Sequence, residues 1–478
     1  MLKKFLDDTL KYGLGNIAVK CFSIIAISII ARNFPVEALG EISIVIAFVG
    51  LFTGIAVLGL DAAVQYYYFH GEEKLKQDYL GTAFVARTLM ATVFFSFLFV
   101  FARNLSGTTF LLQDQGKYLL IILGAVLIPI DNYFSFFTDL TRFLFKPLLF
   151  NIVNIFKIVI YLSLILIFLS KGITLEQIFV SKIISSVIPS VFLMVYYRRN
   201  LNFKINVYCL KKMIRYGLPL IPLTIMYWML NSTSRFFLNV FLGLEYTGIY
   251  SMVVVIGGAF LLITGPVATA WSPYAMKIAK MDNAPQVFAR VFHYLVLLLI
   301  PVAFFFWSVS DFAILILATP IFLQGGTIII FIVLQHILSL LYQYCGIGLT
   351  LTGKTGYFTI GYFISGIVTI LISIFLCKHF GIFGAALSVF IGYLLMTIYI
   401  FIKSQQFYPI PYRKKFLSIY ASLTLLVIFC FLLLPDTNII INFITRFLVG
   451  CLFLFVPFII KTISINELKQ IFIMKKTV

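Results

Sequence analysis

Apolar residues form long runs, separated by short polar gaps, from the N-terminal region to the end of the chain. A run of about 18 to 22 residues crosses a hydrocarbon core of ~30 Å as a helix. Membrane β-strands would alternate polar and apolar positions, and these runs do not alternate. The pattern therefore predicts an all-α polytopic membrane protein with about fourteen transmembrane helices. In chain order the predicted spans are Tyr12–Ile30, Ile42–Leu60, Ala83–Phe101, Tyr118–Phe136, Phe150–Leu169, Gln177–Tyr197, Tyr216–Leu238, Gly248–Pro266, Phe292–Phe312, Gly326–Tyr342, Thr359–Cys377, Phe383–Phe401, Phe416–Leu434 and Ile439–Ile460.

Charged residues are too few for a soluble protein. Only 11% of the 478 residues are charged and 62% are hydrophobic, whereas soluble domains carry about 25% charged residues. The gaps between the apolar runs are also too short to hold a soluble domain. The composition therefore excludes an array of soluble domains joined by polar linkers.

Basic residues are distributed unevenly between the two sides of the predicted bundle. With the N-terminus in the cytoplasm, most of the 36 lysines and arginines fall in cytoplasmic loops, including the long linker Arg198–Arg215. The positive-inside rule then predicts that both termini are cytoplasmic. A basic rim facing anionic lipid headgroups accounts for the net charge of +19 without a nucleic-acid partner. The predicted outer loops contain Arg32, Arg103, Lys117, Lys171 and Lys378.

Cysteine and histidine patterns give no sign of a bound group. The six cysteines are scattered without a Cys-x-x-Cys pair, and none of the four histidines has a companion at metal-ligand spacing. We therefore expect no structural disulfide, no metal site and no cofactor.

Short motifs recur in the same order in two parts of the chain. Lys11-Tyr-Gly-Leu14 matches Arg215-Tyr-Gly-Leu218, and Gly40-Glu-Ile-Ser43 matches Gly248-Ile-Tyr-Ser251. The nearly constant offset predicts a duplication, and the even number of intervening spans makes it a parallel repeat, as in transporters that rock two lobes. The predicted parts are an N-terminal lobe of six helices (residues 1–203), a C-terminal lobe of six helices (204–403) and a helix pair with a basic tail (404–478).

Motifs near the start of each repeat also carry a family resemblance. They are Tyr12-Gly-Leu14, Ala31-Arg32, Gly40, Tyr216-Gly-Leu-Pro-Leu-Ile-Pro222, Trp228-x-x-Asn231-x-x-Ser-Arg235 and Gly248-Ile-Tyr-Ser251. With these motifs the chain resembles polysaccharide repeat-unit flippases, the Wzx-like branch of the multidrug/oligosaccharidyl-lipid/polysaccharide exporter superfamily. One departure is Ser234, because many relatives have an acid immediately before the arginine.

The resemblance implies a transporter rather than an enzyme. Members of this family move lipid-diphosphate-linked oligosaccharides, such as O-antigen or capsule repeat units, from the cytoplasmic to the outer leaflet of the plasma membrane. A multi-pass protein of a bacterial or archaeal plasma membrane is thus expected. Its expected partners are the lipid-linked oligosaccharide, the bilayer and polysaccharide-assembly enzymes.

Cations inside the predicted spans indicate the charge of the substrate. A charge at mid-bilayer costs several kcal/mol unless it faces a cavity or a partner. Lys20 shares a helical face with Asn16, and Lys157 shares one with Asn154. An anionic diphosphate would suit such cations, and an internal ion pair or snorkelling to the interface is the alternative. The predicted substrate-binding residues are Lys20, Lys157, Arg235, Arg87, Lys182, Asn16, Asn154, Trp228 and Asn231.

Acids inside the spans are expected to be few. About two embedded acids are expected, Asp131 and Asp61, so the interior is predicted to be strongly cationic. Asp131 is the candidate for ion coupling, because a carboxylate within the membrane can titrate and sense an ion gradient. The alternative is a salt bridge from Asp131 to one of the embedded lysines. Lys182, Arg235 and Arg446 lie within about two turns of the outer surface, where long side chains can snorkel.

Three other functions remain possible on the sequence. A membrane glycosyltransferase or polymerase would need a sizeable external loop with catalytic residues, and the longest predicted outer loop, Ala102–Lys117, is short. A drug or cation exporter of the same superfamily would place a carboxylate in the first spans, where this chain has Lys20. A flippase for the peptidoglycan precursor lipid II is harder to separate, because that substrate is also a lipid diphosphate.

Overall fold

The chain is helical throughout the part that the structure describes. The structure is a computed structural model, and it describes residues 2–433 and 438–459, in which there is no β-strand. Short 3-10 turns join several of the helices. The helices are α1 (Leu2–Asn33), α2 (Val36–Ala56), α3 (Leu60–His70), α4 (Lys76–Ser106), α5 (Tyr118–Phe143), α6 (Pro147–Leu169), α7 (Leu175–Tyr197), α8 (Val207–Gly217), α9 (Ile221–Leu242), α10 (Leu244–Gly257), α11 (Leu261–Ile278), α12 (Ala284–Leu317), α13 (Ile329–Cys345), α14 (Ile347–Leu351), α15 (Gly356–Phe407), α16 (Lys414–Leu433) and α17 (Ile439–Ile459).

Membrane-spanning length and composition confirm the predicted fold class. Eleven helical stretches of the described residues are long and apolar enough to cross a bilayer, and two shorter apolar helices follow at Leu417–Phe431 and Ile439–Phe455. Each predicted span overlaps one of these stretches, although Leu434 and Ile460 lie outside the described residues. The protein is therefore an all-α, multi-pass membrane protein.

The longest helix, α15, contains two spans. It has 52 residues, and Gly381 breaks it with a left-handed backbone (φ 56°, ψ −132°). An unbroken helix of that length would measure about 78 Å, more than twice the thickness of a hydrocarbon core. Glycine adopts this conformation without the steric cost that a side chain would add. The break lies between the predicted spans Thr359–Cys377 and Phe383–Phe401.

Two compact units make up the chain. Unit 1 comprises Met1–Met252 and Tyr362–Gly392, and unit 2 comprises Val253–Gly361 and Tyr393–Val478. The division into lobes at residues 203 and 403 stays a prediction.

Within unit 1, α5 is the central helix. It packs against α4, α7 and α2, while α6 packs against both α1 and α7. Toward one end of the unit, buried aromatic side chains including Phe137, Tyr79 and Tyr197 fill the core between these helices. This packing brings three polar positions on α5, α6 and α7 within reach of one another.

The repeated Gly-x-x-Ser motifs of α2 and α10 contact each other inside unit 1. A Cβ atom on Gly40 would lie 2.2 Å from the carbonyl oxygen of Leu244, and a Cβ on Gly248 would lie 2.1 Å from that of Val36. Gly40 thus contacts the carbonyl four residues before Gly248, and Gly248 contacts the carbonyl four residues before Gly40. The two halves of the contact therefore use equivalent positions, as in a two-fold symmetric interface. The hydroxyl of Ser251 donates a hydrogen bond to Ser43 at 2.7 Å. Close backbone approach at small residues is a common way for membrane helices to associate.

In unit 2, a buried ion pair joins α12 to α17. Arg446 Nη1 lies 2.8 Å from Asp311 Oδ2, with only 4% and 8% of the two side chains exposed. The guanidinium also lies over the Trp307 ring, 4.4 Å from its centroid. The snorkelling interpretation of Arg446 is therefore wrong, because its charge is neutralised inside the protein.

The prediction of two embedded acids is also wrong. Asp311 and Glu41 are 5% and 3% exposed, and Glu41 forms an ion pair with Lys117. Lys117 was assigned to an outer loop from the sequence, and its partner lies in the first turns of α2. The interior is consequently less cationic than the sequence indicates, and the cations that lack such partners become the more informative ones.

Candidate functional site

One carboxylate on α5 connects three helices of unit 1. Asp131 Oδ1 accepts hydrogen bonds from Lys157 Nζ on α6 and from Ser186 Oγ on α7, both at 3.2 Å. Lys182, one turn before Ser186 on α7, interacts electrostatically with both Asp131 and Lys157. Lys157 is therefore paired with the carboxylate, and Lys182 is a second lysine close enough to interact with both charges. We call Asp131, Lys157, Lys182 and Ser186 the Asp131 cluster.

The central ion pair of this cluster is partly exposed. The Lys157 and Asp131 side chains are 24% and 30% exposed, whereas those of the Arg446–Asp311 pair are only 4% and 8% exposed. The Lys157 ammonium also lies 4.1 Å from the centroid of the Phe134 ring, an attractive cation–π geometry. An ammonium has three donors, so Lys157 has more donors than its hydrogen bond to Asp131 uses.

Lys20 lies at a similar depth to Lys157. Helices α1 and α6 cross where a Cβ on Gly15 would lie 2.0 Å from Asn151 Oδ1. As the first and fifth spans, they run in the same direction. From the crossing, Lys20 is about 7.5 Å and Lys157 about 9 Å farther along, at 1.5 Å per residue. Lys20 is half-buried and has no ion pair among the described residues.

The two asparagines predicted beside these lysines differ in environment. Asn16 on α1 is exposed. Asn154 on α6 is half-buried and donates to the carbonyl of Phe150 in its own helix at 2.7 Å. Contact of either amide with a substrate stays a prediction.

Arg87 approaches the same stretch of α5 from α4. It is 3% exposed and donates to Ser135 Oγ at 2.7 Å and to Asn132 Oδ1 at 3.3 Å. Asp139 and Asp61 also stabilise its charge electrostatically. Arg87 therefore holds α4 against α5. Contact between Arg87 and a substrate stays a prediction.

The remaining predicted residues are grouped on α9. Trp228 Nε1 donates to the Ala47 carbonyl of α2 at 2.7 Å. Asn231 donates to a carbonyl of its own helix. Arg235 is half-buried, donates to the Asn231 carbonyl at 3.5 Å and interacts with Tyr250 of α10. The structure thus brings Lys157, Lys182 and Arg87 to α5 and groups Trp228, Asn231 and Arg235 on α9, while Lys20 and Asn16 lie apart on α1.

Ser234, where many relatives have an acid, belongs to a buried hydroxyl network. Its Oγ lies 3.3 Å from Ser373 Oγ and 3.1 Å from Ser388 Oγ, which are 2.8 Å from each other. The three hydroxyls hold α9 against both parts of α15. Among the described residues, the network places no carboxylate beside Arg235.

Ser186 is the site residue that sequence reasoning missed. A serine in an apolar helix is most often hydrogen-bonded to its own backbone, so nothing in the sequence distinguishes Ser186 from the other serines of α7.

No group of three His, Cys, Asp or Glu side chains suited to a metal ion is found in residues 2–433 and 438–459.

Solved structures with a similar fold are flippases and multidrug transporters. One is described as lipid II flippase MurJ in an inward closed conformation, with a TM-score of 0.73 and 13% identity over 93% of this chain and 97% of that one. A MATE-family multidrug resistance transporter, inward-facing, has a TM-score of 0.60 and 14% identity, covering 83% and 94%. The MATE multidrug transporter DinF-BH has a TM-score of 0.61 and 14% identity, covering 84% and 95%. The chain therefore has the fold of this class of membrane transporters.

A family model named polysaccharide biosynthesis protein matches residues 5–279, more than half of the chain. The protein belongs to this family, which confirms the resemblance seen in its motifs. No curated protein matches the chain.

Proposed function

We propose that the protein moves a lipid-diphosphate-linked oligosaccharide from the cytoplasmic to the outer leaflet of the plasma membrane. The observation that carries this proposal is the Asp131 cluster, in which two lysines lie near a single carboxylate and Lys157 is paired with it. A diphosphate offers several anionic oxygens and binds best to several cationic donors. Lys20, at a similar depth and without an ion pair among the described residues, supplies a further cation.

The family and the fold support this substrate and its movement across the membrane. Membership of the polysaccharide biosynthesis family supports a sugar-bearing cargo, and the flippase and transporter fold supports movement across the bilayer by alternating access. The basic-residue bias supports cytoplasmic termini. Loading from the cytoplasmic leaflet then follows, because lipid-linked repeat units are assembled on that side.

A second candidate is flipping of lipid II itself. The TM-score with the structure described as lipid II flippase MurJ, 0.73, exceeds those with the two MATE transporters, 0.60 and 0.61. The Asp131 cluster would suit this cargo equally well, because it recognises the diphosphate and not the sugar.

Deletion of the gene in its own host separates these functions. We expect the deletion strain to lose surface polysaccharide and to accumulate lipid-linked oligosaccharide on the cytoplasmic side, and plasmid-borne wild-type protein to restore export. Both are measured by polysaccharide staining and by mass spectrometry of extracted lipids. Loss of cell-wall synthesis would instead identify lipid II as the cargo. Unchanged polysaccharide with increased drug sensitivity would contradict both flippase functions.

If the two predicted lobes rock against each other, the contact between α2 and α10, which joins one helix of each lobe, must open. We expect Ser43→Cys/Ser251→Cys to form a disulfide on oxidation, because the two hydroxyl oxygens are only 2.7 Å apart. With the six native cysteines replaced by serine, the oxidised protein should lose polysaccharide export and regain it in reductant. Each single-cysteine variant, oxidised in the same way, is the control. Full export by the cross-linked protein would show that this contact stays closed throughout the cycle.

A further inference from the structure

A separate pocket lies at the end of unit 1 that is predicted to face the cytoplasm. Its volume is about 300 Å³, within the lower range of small-ligand sites. It is formed where α3 and the last turns of α5 come together. The lining residues are Asp61, Ala62, Gln65, Phe69, Asp139, Arg142, Phe143 and Phe145.

The polar lining of this pocket has no excess of positive charge. Asp61 and Gln65 are one turn apart on α3, and Asp139 and Arg142 form an ion pair at the end of α5. The charged lining residues are thus two aspartates and one arginine, and they would not attract a phosphate. They do offer both hydrogen-bond donors and acceptors, which hydroxyl groups need.

Aromatic rings line the same pocket beside these polar groups. The rings of Phe69 and Phe145 lie 6.3 Å apart at an angle of 56°. They are 48% and 68% exposed, so part of each ring is not covered by packing within the described residues. A sugar ring has an apolar C–H face and an edge of hydroxyl groups. Exposed aromatic rings beside donors and acceptors of hydrogen bonds therefore match a sugar better than a phosphate or a lipid tail.

Phe145 holds its position at a conformational cost. It follows α5 with a left-handed backbone (φ 53°). Its N–H donates to the Arg142 carbonyl, and the N–H of Lys146 donates to that of Thr141. This is the pattern of a Schellman helix end, in which the left-handed position is usually glycine. A bulky residue in such a conformation suggests that the side chain itself is required.

The pocket and the Asp131 cluster lie on the same helix. Asp139 is eight residues beyond Asp131 on α5, about 12 Å at 1.5 Å per residue. That separation suits a single ligand with a diphosphate at one end and sugars at the other. The pocket lies on the predicted cytoplasmic side of the cluster, the side from which a lipid-linked oligosaccharide would arrive.

We propose that this pocket, with Phe69 and Phe145 stacked against the sugar and Asp61, Gln65 and Asp139 binding its hydroxyl groups, receives a sugar residue of the cargo while Lys157 binds the diphosphate. The inference rests on the proposed function, and it assigns the sugar-recognising part of the same substrate. The sugar contacts would then be made at a site distinct from the phosphate contacts.

Photo-cross-linking in the host tests this directly, using the cell's own cargo. p-Benzoylphenylalanine replaces Phe145 or Phe69 in the deletion strain, and the adducts formed on irradiation are analysed by mass spectrometry. We expect adducts that carry the oligosaccharide at both positions. Phe203, which is 45% exposed and outside the pocket, is the matched control and should give none. Absence of sugar adducts at both pocket positions, in cells whose polysaccharide export depends on the protein, overturns the inference but not the proposed function.

The variant Phe145→Gly distinguishes a role of the Phe145 ring in binding the sugar from a role in the stability of the protein. Glycine removes the ring and also relieves the left-handed strain, so the variant should be at least as stable and abundant as the wild type. We expect its polysaccharide export to fall severalfold nevertheless, and Phe69→Ala to behave alike. Undiminished export by Phe145→Gly would contradict the pocket assignment. Should the wild-type protein itself fail to restore polysaccharide in the deletion strain, the proposed function fails first.

Discussion

Lys157→Ala and Lys20→Ala proteins are expected to reach the membrane at normal levels and to fail to restore surface polysaccharide in the deletion strain. Each substitution removes a cation that is proposed to bind the diphosphate of the cargo. A charge-assisted hydrogen bond contributes about 1.5–3 kcal/mol, so each loss should reduce the rate about tenfold to a hundredfold. Surface polysaccharide and membrane abundance are measured in the same cells.

Substitutions that alter the charge in steps sharpen this test. Lys157→Arg should keep part of the activity, because the charge survives although the guanidinium presents its donors differently from an ammonium. Lys157→Glu should be the most damaging, because it adds a repulsive charge to a site that holds Asp131 already. Full complementation by both alanine variants would exclude the cationic site as the basis of transport.

The ion pair with Asp131 allows a structural role to be separated from a binding role. If Lys157 only neutralised Asp131, truncation would leave a carboxylate with fewer partners and lower the abundance. The double variant Lys157→Ala/Asp131→Asn would then regain the abundance of the wild type. If Lys157 binds the substrate, Lys157→Ala and the double variant should both be abundant. Abundance therefore decides between the two roles, because Asp131→Asn alone is itself expected to lower export.

Asp131→Asn alone tests the ion-coupling prediction. The neutral amide should leave Lys157 and Lys182 more available to a diphosphate, so substrate should bind more tightly and leave more slowly. Export should fall and lose its dependence on external pH if proton exchange at this carboxylate drives release. Unaltered export with unaltered pH dependence would remove Asp131 from the mechanism.

Asp311→Ala is expected to destabilise the protein by about 3–5 kcal/mol, because it leaves the Arg446 charge buried without its partner. The pair is enclosed between α12 and α17, and Arg446 also contacts the Trp307 ring and carbonyl. Thermal unfolding in detergent, followed by size-exclusion chromatography, measures the effect. Export should decline only in proportion to abundance.

A solvent-exposed ion pair is the matched control for Asp311→Ala. Glu73→Ala removes the partner of Lys76 in a pair whose side chains are 84% and 26% exposed, and such pairs contribute about 0–1 kcal/mol. Replacing both buried partners, as in Asp311→Leu/Arg446→Met, should recover most of the lost stability because no orphaned charge remains. Equal effects of Asp311→Ala and Glu73→Ala would contradict the structural role of the buried pair.

Hydropathy predicted the spans well because a span is a run of consecutive apolar residues, and such a run can be recognised without knowing how the helices pack. The predicted fourth span ends at Phe136, among polar residues, whereas α5 continues to Phe143. Its polar residues are tolerated there because Arg87, Lys157 and Ser186 bind them from three other helices. Those partners are far away in sequence, so the same residues looked like a helix end.

The pairing of charges could not be predicted for the same reason. Arg446 and Asp311 are 135 residues apart along the chain, and each taken alone was an isolated charge near the end of a span. Lys157 and Asp131 were both recognised as embedded charges, because a charge in an apolar run is a local signal. The contact between Lys157 and Asp131, and the hydrogen bond from Ser186 to Asp131, both depend on how α5, α6 and α7 pack.

The symmetric contact between α2 and α10 has a consequence for how the protein can evolve. In a homodimer, one codon change at such an interface alters both copies at once. Here Gly40 and Gly248 are separate codons of one gene, so either contact can be weakened while the other is kept. Selection can therefore adjust the strength of this contact in half-steps without losing the contact altogether.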